Sequence, residues 1–238
     1  MERALLAWHA ESERDLPWRR RRDPYAVLVS EVMLQQTQVS RVVSRFEAWM
    51  ERWPSIEAFA AASTADVIRA WQGLGYNRRA LNLHRAARVV AERGWPEDLT
   101  ELPGVGRYTA DALGRFAFGL EVLPIDVNVQ RIVERSGGDF GWRSAEALMD
   151  LGATVCLARV PRCEACPLAS GCPSRGARFE PARRQSRFEG SFRQRRARTL
   201  RAVAAGEAAV EALDGEALAA LAADGLVELV GETVRLPA

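Results

Sequence analysis

At 238 residues the chain can bury one large or two modest cores, and 48% hydrophobic with 27% charged residues is ordinary for a folded protein. No apolar run reaches membrane-spanning length and the charged start Met1-Glu-Arg-Ala-Leu5 is no signal peptide, so the expected place is the cytoplasm, with the nucleoid, and not a membrane. All 33 basic residues are arginine, which excludes a lysine Schiff base, and the net charge of +2 conceals ten arginines against two acids over residues 173–201, then one against seven over 202–238.

In chain order, residues 3–14 put Leu5, Leu6 and Trp8 on a short helix that gives way to Asp15-Leu-Pro-Trp18. After Arg19 to Arg22, Asp23-Pro24 is a cap followed by the residue favoured at the first helical position, so a long helix starts there. In it Val27, Leu28, Glu31, Leu34, Gln35 and Gln38 recur on one side, with Val32 and Val39 beside them. Glu31 thus lies in an apolar stripe, where lost hydration favours the protonated carboxyl. Helices over 40–52, 55–62, 64–72 (capped by Ser63 or Thr64) and 78–93 follow, joined by turns at Pro54 and Gly73-Leu-Gly-Tyr76. That last turn carries an apolar and an aromatic side chain, suited to a core plug or to a wedge between stacked bases. His9 and His84 sit among apolar helical positions, as structural histidines do.

The stretch Leu102-Pro-Gly-Val-Gly-Arg-Tyr-Thr-Ala-Asp-Ala-Leu113 is the most informative. Glu101 and Leu102 end a short helix, Pro103 to Gly106 form a tight turn whose glycines can take positive φ, and Thr109, Ala112, Leu113 and Phe116 recur at helical spacing. A helix start behind glycines presents N–H groups to an anion such as a phosphate, although a plain connection between helices would read the same way. Beyond the extended link Glu121 to Ile125, Asp126 is placed to cap a helix bearing Val129, Ile132 and Val133, where N–H groups and the helix dipole favour negative charge. One carboxyl in an apolar setting and one at a helix start is how acid and anion roles are separated in glycosidic cleavage.

Cys156-x6-Cys163-x2-Cys166-x5-Cys172 holds every cysteine, a grouping that indicates a metal site in a reducing compartment. Zinc and a [4Fe–4S] cluster both accept four thiolates. The basic block to Arg201 reads as a solvated linker or a strap on phosphates. Residues 192–204 and 214–223 look helical, and Leu226 to Val230 with Thr233 to Leu236 alternate like a small hairpin around Gly231-Glu232, together a winged-helix-like appendage.

Assembled, these motifs resemble the helix–hairpin–helix (HhH-GPD) superfamily of DNA glycosylases, and within it the MutY-type adenine glycosylases, over about residues 5–175. The resemblance rests on Leu16-Pro-Trp18, Ser30-Glu-Val-Met-Leu-Gln-Gln-Thr-Gln38, Gly73-Leu-Gly-Tyr76, Leu102-Pro-Gly-Val-Gly106, Asp126-x-Asn128, Leu151-Gly-Ala153 and the cysteine loop. It implies an all-α, two-lobed fold: a six-helix barrel lobe over 23–120 with the helix–hairpin–helix, and a cluster lobe from 1–22 and 121–178 carrying [4Fe–4S] on Cys156, Cys163, Cys166 and Cys172. A basic linker over 179–191 and the small C-terminal module over 192–238 complete the chain. The implied partner is double-stranded DNA with a mismatched or damaged base, flipped out and bound by a monomer.

By the matched motifs, Glu31 is the acid that protonates the adenine ring and Asp126 stabilises the sugar cation. Tyr108 and Asn128 order the sugar and the attacking water. Arg14, Leu16, Trp18 and Glu146 line the adenine pocket. Gln36 and Tyr76 fill or wedge the stack and Thr37 lies near the opposite base. The turns bearing Leu74 and Gly75, and Gly104, Val105, Gly106 and Arg107, complete the DNA contacts. Endonuclease III-type relatives carry lysine and histidine where this chain has Tyr108 and Asn128, so the implied activity is base removal without lysine-dependent strand cleavage. G·T or G·U mismatch glycosylases share the tyrosine and the Asp-x-Asn pattern, and a DNA-damage-binding protein without catalysis is a further reading. Three departures stand out: the family's 8-oxoguanine-reading domain is not found, the link from Arg135 to Ala145 is short, and Val127 replaces a residue that is often glycine.

Overall fold

The structure, a computed structural model, describes residues 1–180 and 187–238, so the expected linker over 179–191 falls partly outside the described residues. The chain divides into two compact units, one joining Met1–Val27 to Gly106–Arg184 and the other joining Leu28–Val105 to Gln185–Ala238.

In the first unit, helices α1 (Glu2–Ser12), α7 (Arg107–Phe116), α8 (Val127–Ser136) and α9 (Ala145–Thr154) supply the framework. Apolar residues at helical spacing, Val129 and Ile132 on α8 and Leu148 and Leu151 on α9, meet Leu5, Phe140 and Leu168 in one core. Leu5 is the inward residue of α1, whereas Leu6 is exposed. The short link before α9 is closed by a single 3₁₀ turn, Trp142–Ser144.

Helix α2 (Pro24–Leu34) starts as its sequence implies, with the Asp23 carboxylate accepting the Ala26 N–H at 2.9 Å and Pro24 in the first turn. It ends at Leu34, four residues before the apolar and glutamine stripe suggests: Gln36 takes φ 54 and Gln38 already caps the next helix. Gln35 and Gln38 therefore do not continue the face that carries Glu31.

The second unit contains α3 (Val39–Arg52), α4 (Ile56–Ala60), α5 (Thr64–Ala70) and α6 (Arg78–Arg93). Ser55 and Ser63 cap α4 and α5 through the N–H groups of Ala58 and Asp66. Trp49 packs against Trp53, Phe59 and Trp71 with ring centres 4.7–5.6 Å apart, and His84 lies against Phe59, so His84 is a core residue. The C-terminal module adds α10 (Phe192–Ala205), α11 (Gly215–Ala223) and three antiparallel strands, β1 (Ala208–Ala209), β2 (Glu228–Val230) and β3 (Thr233–Arg235), in the order β1-β3-β2. Its core continues into Ile68 of α5 and Leu81 of α6. Within the basic block, Arg195 pairs with Asp214 and Glu216, and Arg196 with Asp224, so part of the block is neutralised by the acidic segment after it.

Candidate active site and DNA interface

The turn at Leu102–Gly106 has Pro103 at its second position and Gly104 at its third with φ +81, closed by a Val105 N–H to Leu102 C=O bond of 3.0 Å, the type II arrangement. A Cβ on Gly104 would sit 2.8 Å from the Cβ of Asn82, so both the positive φ and the close packing on α6 require glycine. Gly106 differs: its φ is −90, and a Cβ there would meet nothing. It caps α7 without a side-chain cap, leaving open space before the helix start, as an anion site needs. The Val105 side chain is buried, and the exposed Arg107 is paired with Asp111 one turn on.

Asp126 caps α8 as expected. Its Oδ1 accepts the N–H groups of Asn128 (2.8 Å) and Val129 (2.7 Å), and its Oδ2 accepts the Asn128 Nδ2 amide at 2.7 Å. Arg131, one turn along, donates to Asn128 Oδ1 (2.8 Å), Gly152 O (2.8 Å) and Cys156 O (2.9 Å). The guanidinium thereby fixes which way the Asn128 amide faces, because a donor on one side leaves the NH₂ for the carboxylate. Val127 is 75% exposed beside this cap, so the capping geometry accommodates its side chain. Tyr108 is half-buried in the first turn of α7, in the same unit.

Glu31 is 7% exposed on α2, among the buried Val27, Leu28 and Val32, which bears out its apolar setting. It belongs to the second unit and Asp126 to the first.

The segment Arg14 to Arg19 is held by a residue the sequence reading missed. Asp150 of α9 is 0% exposed and accepts from Arg14 Nε (2.6 Å), Arg19 Nη2 (2.8 Å) and Arg19 Nη1 (2.8 Å), with His9 at 3.2 Å. Burial alone would raise the Asp150 carboxyl, but bonds to Arg19 and the charges of Arg14 and Arg19 bring it below the usual carboxylate range. Leu16 and Trp18 between them are buried. Glu146, one turn before Asp150, pairs with Arg22 at 2.9 Å and faces a cavity of about 260 Å³ that Arg115, Trp142 and Arg143 also line.

Two loops in the second unit carry the remaining expected DNA contacts. Gln36 (φ 54) and Tyr76 (φ 45) both adopt left-handed backbone without being glycine, a strain of roughly 1–3 kcal/mol each that neighbouring contacts must hold. Of the two readings of the Gly73–Tyr76 turn, Leu74, at 3% exposure, is a core plug and Tyr76, at 46%, stands out. Leu74 is thus withdrawn from any direct contact, and Gly75 contributes its carbonyl to the Trp71 indole N–H at 3.0 Å. Arg79, also missed, reaches both loops: it donates to backbone oxygens of Val32, Met33, Gln35, Leu74 and Gly75 and to Thr37 Oγ1, at 2.6–3.3 Å. Burial lowers this guanidinium from its ordinary value to about 10, still charged at neutral pH.

The four cysteines line one cavity of about 30 Å³ with Arg135 and Arg162. The Gly176 N–H donates to Cys163 Sγ at 3.3 Å and Arg135 Nη1 approaches Cys156 Sγ at 3.7 Å, contacts that suit thiolates. Burial pushes the Cys166 thiol up, and the three neighbouring sulfurs add to it. Among the described residues no three His, Cys, Asp or Glu side chains converge as a single bound metal ion would require.

Residues 29–156 match the HhH-GPD superfamily of base excision DNA repair proteins. The adenine DNA glycosylase of Mycobacterium tuberculosis (strain ATCC 25618 / H37Rv) is 44% identical over 85% of this chain and 78% of that protein. The adenine DNA glycosylase of Homo sapiens is 41% identical over 72% of this chain and 39% of its own. Of solved structures, a thermostable thymine-DNA glycosylase superposes with TM-score 0.63 at 28% identity, covering 71% of this chain and 92% of that one. An endonuclease III trapped in a covalent intermediate with DNA gives TM-score 0.61 at 21% identity, over 71% and 91%, a likeness of fold. A family match across more than half the chain, with such relatives, agrees with the turn, cap and cysteine motifs: the chain belongs to the HhH-GPD superfamily of base excision DNA repair proteins, among the MutY-type adenine DNA glycosylases.

Proposed function

We propose that this DNA glycosylase removes adenine mispaired with 8-oxoguanine or guanine, as a monomer acting on chromosomal DNA in the cytoplasm, and leaves the strand uncut. The observation that carries this reading is the Asp126–Asn128 unit, a carboxylate saturated by three N–H donors and an amide whose orientation Arg131 fixes. Its function is to hold negative charge where a sugar cation develops. Glu31, kept among apolar neighbours, is the proton donor to the leaving base. Asn128 and Tyr108 order the sugar and the incoming water. Arg14, Leu16, Trp18 and Glu146 form the base pocket, with Asp150 orienting Arg14. Phosphates rest on the Gly104–Arg107 turn. Without lysine the chain lacks the lysine Schiff-base route to strand scission.

A [4Fe–4S] cluster would be held by Cys156, Cys163, Cys166 and Cys172, a four-thiol donor set whose members line one cavity. With all four ligands from the protein, such a cluster would have no open position for substrate and its chemistry there would be structural. The thymine-DNA glycosylase likeness motivates a second reading, a G·T or G·U enzyme.

The deciding experiment uses duplexes with single A·8-oxoG, A·G, T·G or U·G pairs, read with and without hot alkali. Alkali-dependent cleavage at adenine alone is expected, abolished in Glu31→Gln. Cleavage only at T·G or U·G supports the second reading, and duplex binding with no base released from any substrate overturns both. Iron and sulfide in equal amounts after anaerobic purification support the cluster. Stoichiometric zinc refutes it.

A further inference from the structure

The strained positions Gln36 and Tyr76 lie on loops 40 residues apart, and one side chain joins them. Arg79 Nη1 donates to the Val32 carbonyl in the last turn of α2 at 2.6 Å and to the Gln35 carbonyl just past its end at 2.6 Å, immediately before Gln36. Nη2 is bonded to Thr37 Oγ1 at 3.1 Å and Gly75 O at 3.1 Å, on either side of the gap between the loops. The guanidinium also lies 5.7 Å from the Tyr76 ring and 5.2 Å from that of Trp71, an attraction for a cation over an aromatic face. No local sequence rule places a cation there. Its acceptors are carbonyls that an ended helix and a tight turn leave unsatisfied.

We infer that Arg79 is a positioning residue for base extrusion: its planar fork clasps the Gln35–Thr37 loop to the Gly73–Tyr76 turn, presetting Gln36 and Tyr76 for insertion into the stack. This rests on the reading that those two side chains meet DNA. A lysine cannot replace it, because one ammonium cannot reach donor positions on both loops with the geometry of two Nη groups. A preset wedge avoids ordering two loops at the moment the base leaves, so its loss slows extrusion more than it weakens phosphate-borne binding.

The test compares wild type, Arg79→Lys and Arg79→Ala on a duplex with 2-aminopurine beside the target adenine. Three quantities are read: the fluorescence rise on unstacking, the single-turnover excision rate, and affinity for an undamaged duplex. Arg79→Lys should keep its thermal midpoint and undamaged-duplex affinity, lose most of the fluorescence rise, and excise about tenfold to a hundredfold more slowly. Methylguanidinium added to Arg79→Ala should restore part of the rise and the rate. A wild-type-like rise and rate in Arg79→Lys overturns the inference, as does a loss that tracks a lowered thermal midpoint and is not rescued. If wild type releases no base yet shows an Arg79-dependent fluorescence rise, the proposed activity fails and the clasp stands.

Discussion

A methyl group on Gly152 would lie 2.6 Å from the Cβ of Asn128, nearer than real side chains approach. The obstructing atom is fixed to the α8 backbone, so it cannot swing aside as a long side-chain tip would. Gly152→Ala should therefore push Asn128 off Asp126 and break the 2.7 Å amide bond, besides weakening the Arg131 link to Gly152 O. The expected outcome is a chain destabilised by about 1–3 kcal/mol whose single-turnover excision falls by about tenfold or more. Folded Gly152→Ala with an unchanged rate would show that the amide does not serve the reaction. The Leu151-Gly-Ala153 motif was legible as a pattern, but its reason is a contact across two helices that no spacing reveals. Similarly, Glu31 and Asp126 stood out because their neighbours in sequence set their surroundings. Arg79 and Asp150 did not, since their partners lie up to 47 and 141 residues away. Arg131 was within reach, being one helical turn from Asn128.

Helix starts were readable because their caps are local: Asp23, Ser55, Ser63, Asp126 and Asp214 each accept an N–H two or three residues on. The end of α2 was not, because the group that satisfies its last carbonyls is Arg79 of α6. In the C-terminal module the hairpin of β2 and β3 showed as alternation, whereas β1 is two alanines and acquires its identity only by pairing with Thr233 and Val234. That module shares its core with α5 and α6, which makes it part of the stability of its unit. Leu221 of α11, fully buried beside Leu218 and Leu226, is a direct probe. Leu221→Ala should cost about 2–5 kcal/mol, and the loss should reach the exchange protection of α6 amides. Destabilisation confined to α10 and α11, with α6 protection unchanged, would show that the module melts separately.

Across the whole chain, two buried titratable groups, one in each unit, respond to acid at different pH. In the second unit His84 is 2% exposed, and burial holds its imidazole below the usual 6.5, with the charge of Arg88 acting the same way. Its neutral form is the one the fold accepts, so this contribution is complete above pH 6.5 and is lost as pH falls through the lower, folded value. In the first unit Asp150 is held below 3.8, so its contribution is complete above that value and declines only under much stronger acid. Between pH 7.5 and 5 the urea midpoint should therefore fall through His84 and not through Asp150. His84→Leu should flatten that dependence while keeping the apolar packing on Phe59, and Asp150→Asn should lower stability at every pH in the window without changing the slope. An unaltered slope in His84→Leu would place the acid response elsewhere. A slope lost in Asp150→Asn would mean that the buried arginine network already yields near neutrality, contrary to a carboxylate held by two guanidinium groups.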